Sequence, residues 1–363
     1  MRITIVISSL GSGGAERVVT NMASYWAKET HSVTIATLAD SELDHYAVDG
    51  AVSRVTASFF NAHNHGLSRL VAVFKRIHAL RKTIRDSTPD IVVSFVDKTN
   101  VRVLLAMQML RIPVIVAERS HPVHWPLHWL WRVLRVCLYR RASYVVTQTE
   151  GVARWARKFV PKGRIVIIPN CVYGERTAAP RSVDLHKAVM VGRMTYEKGH
   201  DILINAWPAV LADIPHARLE LIGDGPLRES LESLTKRLGI QNSVEFIGTV
   251  PDARTRMPDA SLLAVPSRFE GFPNVILEAM SLGVPVVASD CEFGPSDIIR
   301  DGVDGDLVRP ADPTSLATAI IALMLNPDRR AAYSASAQCV WDRFSEDKVM
   351  RQWNELLNHA TAP

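Results

Sequence analysis

The chain has 363 residues, of which 47% are hydrophobic and 22% charged, and a formal net charge of +5. That length predicts two domains, and the composition excludes a disordered or fibrous chain. No apolar run approaches the ~18 residues of a membrane-spanning helix, the start lacks a secretory signal, and Cys137, Cys171, Cys291 and Cys339 are scattered without metal-ligand or disulfide spacing, which fits a reducing cytosol.

An apolar strand over residues 3–7 leads into Ser9-Leu-Gly-Ser-Gly-Gly-Ala-Glu-Arg17. Gly11 and Gly13 have the separation of a dinucleotide-binding fingerprint, and Asp40 follows at a plausible distance, but Glu16 stands where the third glycine belongs. Gly13 and Gly14 either let backbone approach a ligand closely or make a tight strand-to-helix turn. Further strands are expected at 32–38, 90–95, 113–117, 143–147 and 165–168, alternating with helices, so the first half reads as a parallel sheet covered by helices. Asp97-Lys98, past the second of these, reads as a surface turn that could touch a substrate. Glu118-Arg-Ser-His121 follows the next one, where parallel sheets place their ligands; His121 stands out there, while His124 and His128 do not.

Charge is uneven along the chain. Residues 1–175 carry 23 Lys and Arg against 12 Asp and Glu, and the remainder 19 against 25, which suggests an anionic partner for the first half. Leu70, Val73, Phe74, Ile77, Leu80 and Ile84 form one helical stripe, and Lys75, His78, Lys82 and Arg85 line another face of the same helix. A second segment, 125–141, mixes Trp125, Trp129 and Trp131 with arginines. Tryptophans at an interface and arginines toward anionic headgroups would hold a helix on a membrane surface; the plainer alternative is a core-facing helix with solvated cations. Nucleic acid is the weaker partner, because no recognised module is present.

Residues 1–170 are expected as the first domain, 171–186 as a linker and 187–340 as the second domain, with strands at 188–191, 219–222, 244–246, 262–265 and 284–288. Gly192-Arg193 ends the first of these, and Glu197-Lys198-Gly199-His200 opens the following helix, so Arg193 and Lys198 stand where both can offer charge to a diphosphate. Gly223-Asp-Gly-Pro226 and Gly248-Thr-Val250 are further strand-end turns. After the 262–265 strand comes Arg268-Phe-Glu-Gly-Phe-Pro-Asn-Val-Ile-Leu-Glu-Ala-Met280. Glu270 lies in its turn and Glu278 in the helix, with the N–H groups of Phe272, Asn274 and Val275 between them at an anion-binding helix start. Two carboxylates for hydroxyls flanking a site for phosphate suit a nucleotide sugar. Asp304-Gly-Asp306 has the outline of a metal motif but sits in a glycine-rich turn, so no metal site is expected. Residues 328–360 read as two polar helices carrying Trp341 and Trp353.

Gly192-Arg193, Lys198-Gly199, Gly223-Asp-Gly-Pro226, Glu270 to Glu278 and Gly294-Pro295-Ser296 occur in one order, and together they resemble the family 4 retaining glycosyltransferases of the GT-B fold. The resemblance implies an α/β fold of two Rossmann-like parallel-sheet domains with an interdomain cleft, and a C-terminal helix (341–363) packing back on the first domain. It also implies that Glu278 binds ribose hydroxyls and Glu270 those of the transferred sugar. Arg193, Lys198 and the helix start at Gly271, Phe272, Pro273, Asn274 and Val275 would hold the leaving diphosphate. Gly13, Gly14, Gly223 and Val250 would complete the donor site, and His121 would face the sugar. No cofactor or metal is implied, since the cations take a metal's place.

The chain is most similar to bacterial transferases of the α-1,4-N-acetylgalactosamine type that extend lipid-linked oligosaccharides. This implies a UDP-HexNAc donor such as UDP-GalNAc, with GDP-mannose as the alternative. It also implies a lipid-diphosphate-linked saccharide acceptor and a peripheral position on the cytoplasmic face of the inner membrane. A Rossmann-type oxidoreductase and a non-catalytic sugar-binding protein are the readings from other classes.

Overall fold

The computed structural model describes residues 1–11, 13–57, 69–119, 128–174, 176 and 183–362. His121 and Trp125 lie outside them. The chain divides into two compact units, Met1–Asn170 with Val349–Pro363, and Cys171–Lys348.

Unit 1 alternates β1 (Arg2–Ile7), α1 (Gly14–Lys28), β2 (Ser32–Thr37), β3 (Ser53–Thr56), α2 (Arg69–Asp86), β4 (Ile91–Phe95), α3 (Asp97–Ala106), β5 (Val114–Ala117), α4 (Trp129–Tyr139), β6 (Tyr144–Thr147), α5 (Glu150–Ala156) and β7 (Ile165–Ile167). The seven strands form one parallel sheet in the order β3-β2-β1-β4-β5-β6-β7. The chain runs outward from β1 to β3, then returns across β1 to β4, so the order reverses between β1 and β4. In such sheets the ligand crevice lies at the carboxyl ends of the two strands flanking the reversal. Strand alternation sends Val6, Val92 and Val116 to the side covered by α2, α3 and α4. Phe95, of the opposite parity, meets Trp353 at 6.2 Å between ring centroids.

Unit 2 contains β8 (Asp184–Val191), α6 (His200–Asp213), β9 (Arg218–Ile222), α7 (Arg228–Arg237), β10 (Val244–Gly248), β11 (Ala260–Val265), α8 (Asn274–Ser281), β12 (Val286–Ser289), α9 (Pro295–Ile298), β13 (Asp306–Val308), α10 (Pro313–Leu325), α11 (Pro327–Ala337) and α12 (Val340–Arg343). Its six-stranded parallel sheet has the order β10-β9-β8-β11-β12-β13, with the reversal between β8 and β11. Leu219, Leu221 and Leu262 pack toward α6 and α10 on one face, and Val189, Leu263 and Val286 toward α8 on the other.

Several boundaries differ from expectation. The expected linker already belongs to unit 2: Val172 is buried and its N–H donates to Phe344 O at 2.8 Å, and β8 begins at Asp184. The tail holds three helices, α11, α12 and α13 (Glu346–Thr361). The last is amphipathic, burying Val349, Met350, Trp353, Leu356 and Leu357. From Val349 onward it belongs to unit 1, where Trp353 meets Trp26 edge-on at 6.2 Å and Asn354 Oδ1 accepts from Trp26 Nε1 at 2.8 Å. Trp341 instead stays in unit 2 and donates to Ser281 O at 3.1 Å.

Candidate active site

The reversal point of unit 2 brings two of the expected residues together. Lys198 follows β8 and Glu270 follows β11, and Lys198 Nζ lies 2.7 Å from Glu270 Oε1. Ser267 Oγ donates to the same carboxylate oxygen at 2.7 Å. The Glu270 side chain is only 9% exposed, so this carboxylate is held by partners rather than by water. Two features press the loops together. Gly199 has φ +71°, and a Cβ there would stand 2.1 Å from Pro266 O, so only glycine lets the turn after β8 lie against the end of β11. Arg268 then clamps the same loops, donating to both carboxylate oxygens of Asp201 at 2.8 and 2.6 Å and to Tyr196 O at 2.8 Å. The Arg268 hydrogen bonds hold the Asp201 carboxyl below its ordinary range. Sequence reasoning passed over Arg268, Asp201 and Ser267; their only signal was position beside the quoted motifs.

Arg193 is exposed, and among the described residues its guanidinium has no partner. Beside the pair stands the start of α8. Pro273 stands at its N-cap and supplies no side-chain cap, and the N–H groups of the first turn point out of the helix end. Phe272 contributes backbone alone, because its ring is buried edge-on against Phe344 at 6.0 Å. Gly294 (φ +99°) brings the turn after β12 against Gly271 and Pro273, where a Cβ would stand 2.6 Å from Pro273 Cδ. Glu278 is half-buried in α8, four residues past Asn274 and about 6 Å along the axis. Gly223 donates to Gly248 O at 2.8 Å, joining the turns after β9 and β10, and Val250 lies half-buried just beyond. Burial, then the Glu270 charge, pushes the Cys291 thiol up to about 12, so Cys291 is an inert neighbour of the pair.

The aspartates of the metal-like motif are engaged elsewhere. Asp304 is buried and accepts from Arg300 N at 2.7 Å and Arg300 Nε at 2.6 Å, with Arg343 at 3.9 Å. Asp306 accepts from the Tyr333 hydroxyl at 2.7 Å. They fasten turns and helices of unit 2.

In unit 1, Glu16 folds back over the start of α1. A Cβ at Gly13 would stand 2.2 Å from its carboxylate, so a side chain already occupies the place where a dinucleotide fingerprint leaves room for phosphate. Gly14 is exposed in the first turn of α1. Asp97 departs from expectation: it is buried, 3% exposed, at the first position of α3. His128 caps α4, its Nδ1 accepting from Leu130 N at 3.4 Å.

The α2 stripe is buried only in part. Leu80 and Ile84 enter the core, whereas Val73 and Phe74 are exposed, Phe74 by 74%. Phe74, Lys75, His78 and Lys82 line a groove of about 930 Å³ against Val55 and Thr56 of β3, and Arg85 is exposed nearby. On α4, Trp129 is 65% exposed and Leu130, Val133 and Val136 are exposed with it, while Arg135 is buried with its guanidinium 4.5 Å from the Trp155 ring. The arginines of α4 are therefore not uniformly solvated. Among the described residues no helix is long and apolar enough to cross a membrane.

Two parallel, helix-covered sheets of seven and six strands, each with one reversal of strand order, make the GT-B fold. Comparison with known proteins agrees. Residues 186–326 match the family described as glycosyl transferases group 1, and residues 13–171 match the glycosyl transferase 4-like domain. The chain belongs to the group 1 glycosyltransferases.

It is 26% identical, over 98% of each chain, to the Campylobacter jejuni α-1,4-N-acetyl-D-galactosaminyltransferase acting on GalNAc-α-(1→4)-GalNAc-α-(1→3)-diNAcBac-PP-undecaprenol. It is 24% identical to the amylovoran biosynthesis glycosyltransferase AmsD of Erwinia amylovora, over 98% of this chain and 99% of that one. In fold it is similar to Anabaena HepE solved with UDP and glucose, with a TM-score of 0.81, 22% identity and 99% of both chains covered. The family matches set aside the oxidoreductase and the non-catalytic sugar-binding readings.

Proposed function

We propose that this glycosyltransferase moves a HexNAc residue from a UDP-sugar such as UDP-GalNAc to a lipid-diphosphate-linked saccharide, with retention of anomeric configuration and without a metal. The observation that carries the reading is the Lys198–Glu270 pair at the β8/β11 reversal, with the start of α8 following Glu270 and with Arg193, which has no side-chain partner among the described residues, following β8. Arg193, Lys198 and the N–H groups of the first α8 turn stabilise the diphosphate as its negative charge develops. Glu270 accepts from hydroxyls of the transferred sugar, and Glu278 from those of the ribose. The bond between the anomeric carbon and the phosphate oxygen breaks, the acceptor oxygen bonds to the same face, and its proton passes to the leaving phosphate oxygen. Cationic side chains supply what a metal would otherwise supply.

The lipid-linked acceptor is supported by the surface of unit 1. α3 packs between α2 and α4, and the flanking helices expose Val73, Phe74, Trp129, Leu130, Val133 and Val136. Lys75, His78, Lys82 and Arg85 accompany them on α2, the composition of a surface resting on anionic headgroups. We place the protein peripherally on the cytoplasmic face of the inner membrane, where a lipid-linked saccharide would be extended.

The test is a transfer screen pairing UDP- and GDP-sugars with short lipid-diphosphate saccharides. UDP-HexNAc consumed with formation of an α-linked product is the expected result. Transfer from GDP-mannose alone would replace the donor assignment, and no donor consumption with any acceptor would overturn the reading.

A further inference from the structure

The carboxyl end of β4 holds a buried polar cluster that the reaction described above does not use. Asp97 opens the ten-residue α3, and Asn100, three positions on, shares one face of its first turn. Ser94 lies on β4 with the parity of Val92, toward the side that α3 covers. Asp97 is 3% exposed and Ser94 and Asn100 are fully buried.

The Asn100 amide has only one workable orientation. Its Nδ2 donates to Ala117 O and to the Tyr139 hydroxyl, both at 3.0 Å, while that hydroxyl gives its own proton to Glu118 Oε2 at 2.7 Å. Turning the amide over would set an oxygen against two acceptors. Oδ1 is therefore held away from them. Among the described residues it, Asp97 Oδ2 and Ser94 Oγ have no hydrogen-bond partner. Two unsatisfied acceptors, the Asn100 amide oxygen and an Asp97 carboxylate oxygen, and a Ser94 hydroxyl that can donate or accept make an unfavourable buried arrangement that calls for a partner. Between Ser94 and Asp97 stands Val96 at φ +72°, a costly conformation for a β-branched residue.

Position gives this cluster meaning. β4 borders the β1/β4 reversal of unit 1, as β11 borders the β8/β11 reversal of unit 2. Glu270 follows β11, and Asp97 is the carboxylate that follows β4. We infer that Asp97, with Asn100 Oδ1 and Ser94 Oγ, receives a hydroxyl or amide N–H of the saccharide acceptor and selects for it. A carboxylate, an amide oxygen and a hydroxyl match a neutral, hydroxyl-rich sugar, and the Asp97 carboxylate disfavours a phosphate or carboxylate in the same place. This site rests on the glycosyl-transfer reading and adds an acceptor-selecting residue to it.

The test uses the full chain with Asp97→Asn and, as a milder change, Ser94→Ala. Acceptor KM, acceptor-free hydrolysis of the donor, and transfer to acceptors lacking one hydroxyl at a time are all measured. Asp97→Asn should raise acceptor KM about 10- to 100-fold, the worth of a hydrogen bond to a charged group, and leave donor hydrolysis unchanged. Wild type should reject one particular deoxy acceptor, and Asp97→Asn should no longer distinguish it. Unchanged KM and unchanged discrimination would mean that water alone meets the cluster, and would overturn the site. So would an equal loss of donor hydrolysis, which marks a structural role. Should Asp97→Asn fail to fold, Ser94→Ala decides by the same readings. A wild-type chain that consumes no donor with any acceptor sinks the transfer reading as well.

Discussion

Lys198 and Glu270 stand 72 positions apart in sequence and 2.7 Å apart in space, joined across the β8/β11 reversal, with Ser267 as a second donor to the same oxygen. In the proposed reading, a cation for phosphate and a carboxylate for a sugar hydroxyl therefore fix one another's geometry. They should behave as one unit. Glu270→Gln and Lys198→Ala are each expected to lower kcat about 100- to 1,000-fold, the usual cost of losing a preorganised charge contact. The double variant should be scarcely worse than the poorer single, as residues acting together are not additive. Arg193→Ala should lower kcat with no change in Tm, since Arg193 has no partner to lose. Steady-state kinetics with saturating donor decides, and fully additive losses would show two independent roles.

His200 sets an acid limit on unit 2. Burial, assisted by the Lys198 charge, pushes its imidazole down from 6.5 to about 4. Below pH 6.5 the unfolded chain gains a proton that the folded chain resists until about pH 4. Its contribution is thus complete above that upper value and falls by about 1.4 kcal/mol per pH unit between the two. His200→Leu should flatten that part of the stability profile. Denaturant melts of both proteins across the interval test it, and parallel profiles would refute it.

Membrane attachment should depend on α4. Changing Trp129, Val133 and Val136 together to Ser removes exposed apolar area without disturbing the core, so Tm should hold while binding to anionic vesicles weakens about tenfold or more. Neutralising Lys75 and Lys82 should instead reduce the salt dependence of binding. Vesicle sedimentation at two ionic strengths separates the two effects; binding untouched by either set would remove the membrane from the proposal.

Asp304 should prove structural. With Arg300 and Arg343 around its buried carboxylate, Asp304→Ala is expected to lower Tm. Activity of the wild type should survive EDTA. Activity that is lost in EDTA and restored by magnesium would contradict a cation-based diphosphate site.

The interior of both sheets was legible from apolar runs, because a strand covered on both faces must be apolar throughout. β3 and β13 were not. Both are edge strands of four and three residues, β3 reading Ser-Arg-Val-Thr with only partial burial, so neither carries a run long enough to notice. The glycine turns, Arg193 and Lys198 were legible through position at strand ends. The pairing of Lys198 with Glu270 was not, since it depends on how close Gly199 lets two distant loops approach. Asp97 was misread for a related reason: beside Lys98 it looks like a surface turn, and only the α3 start reveals its burial. The half-exposed α2 stripe shows the converse limit, as periodicity reports a face and not what covers it.

Unit 1 is closed by a segment that follows unit 2 in the chain. Its core takes Trp353 from α13, while all of unit 2 lies between Asn170 and Val349. In the order of synthesis, unit 2 is therefore complete before unit 1 has its last helix. Until α13 emerges from the ribosome, Trp26 and Phe95 lack the ring that covers them. The half bearing the exposed apolar helices is thus the last to close, and a chain cut short before Val349 would carry a finished unit 2 on an unfinished unit 1.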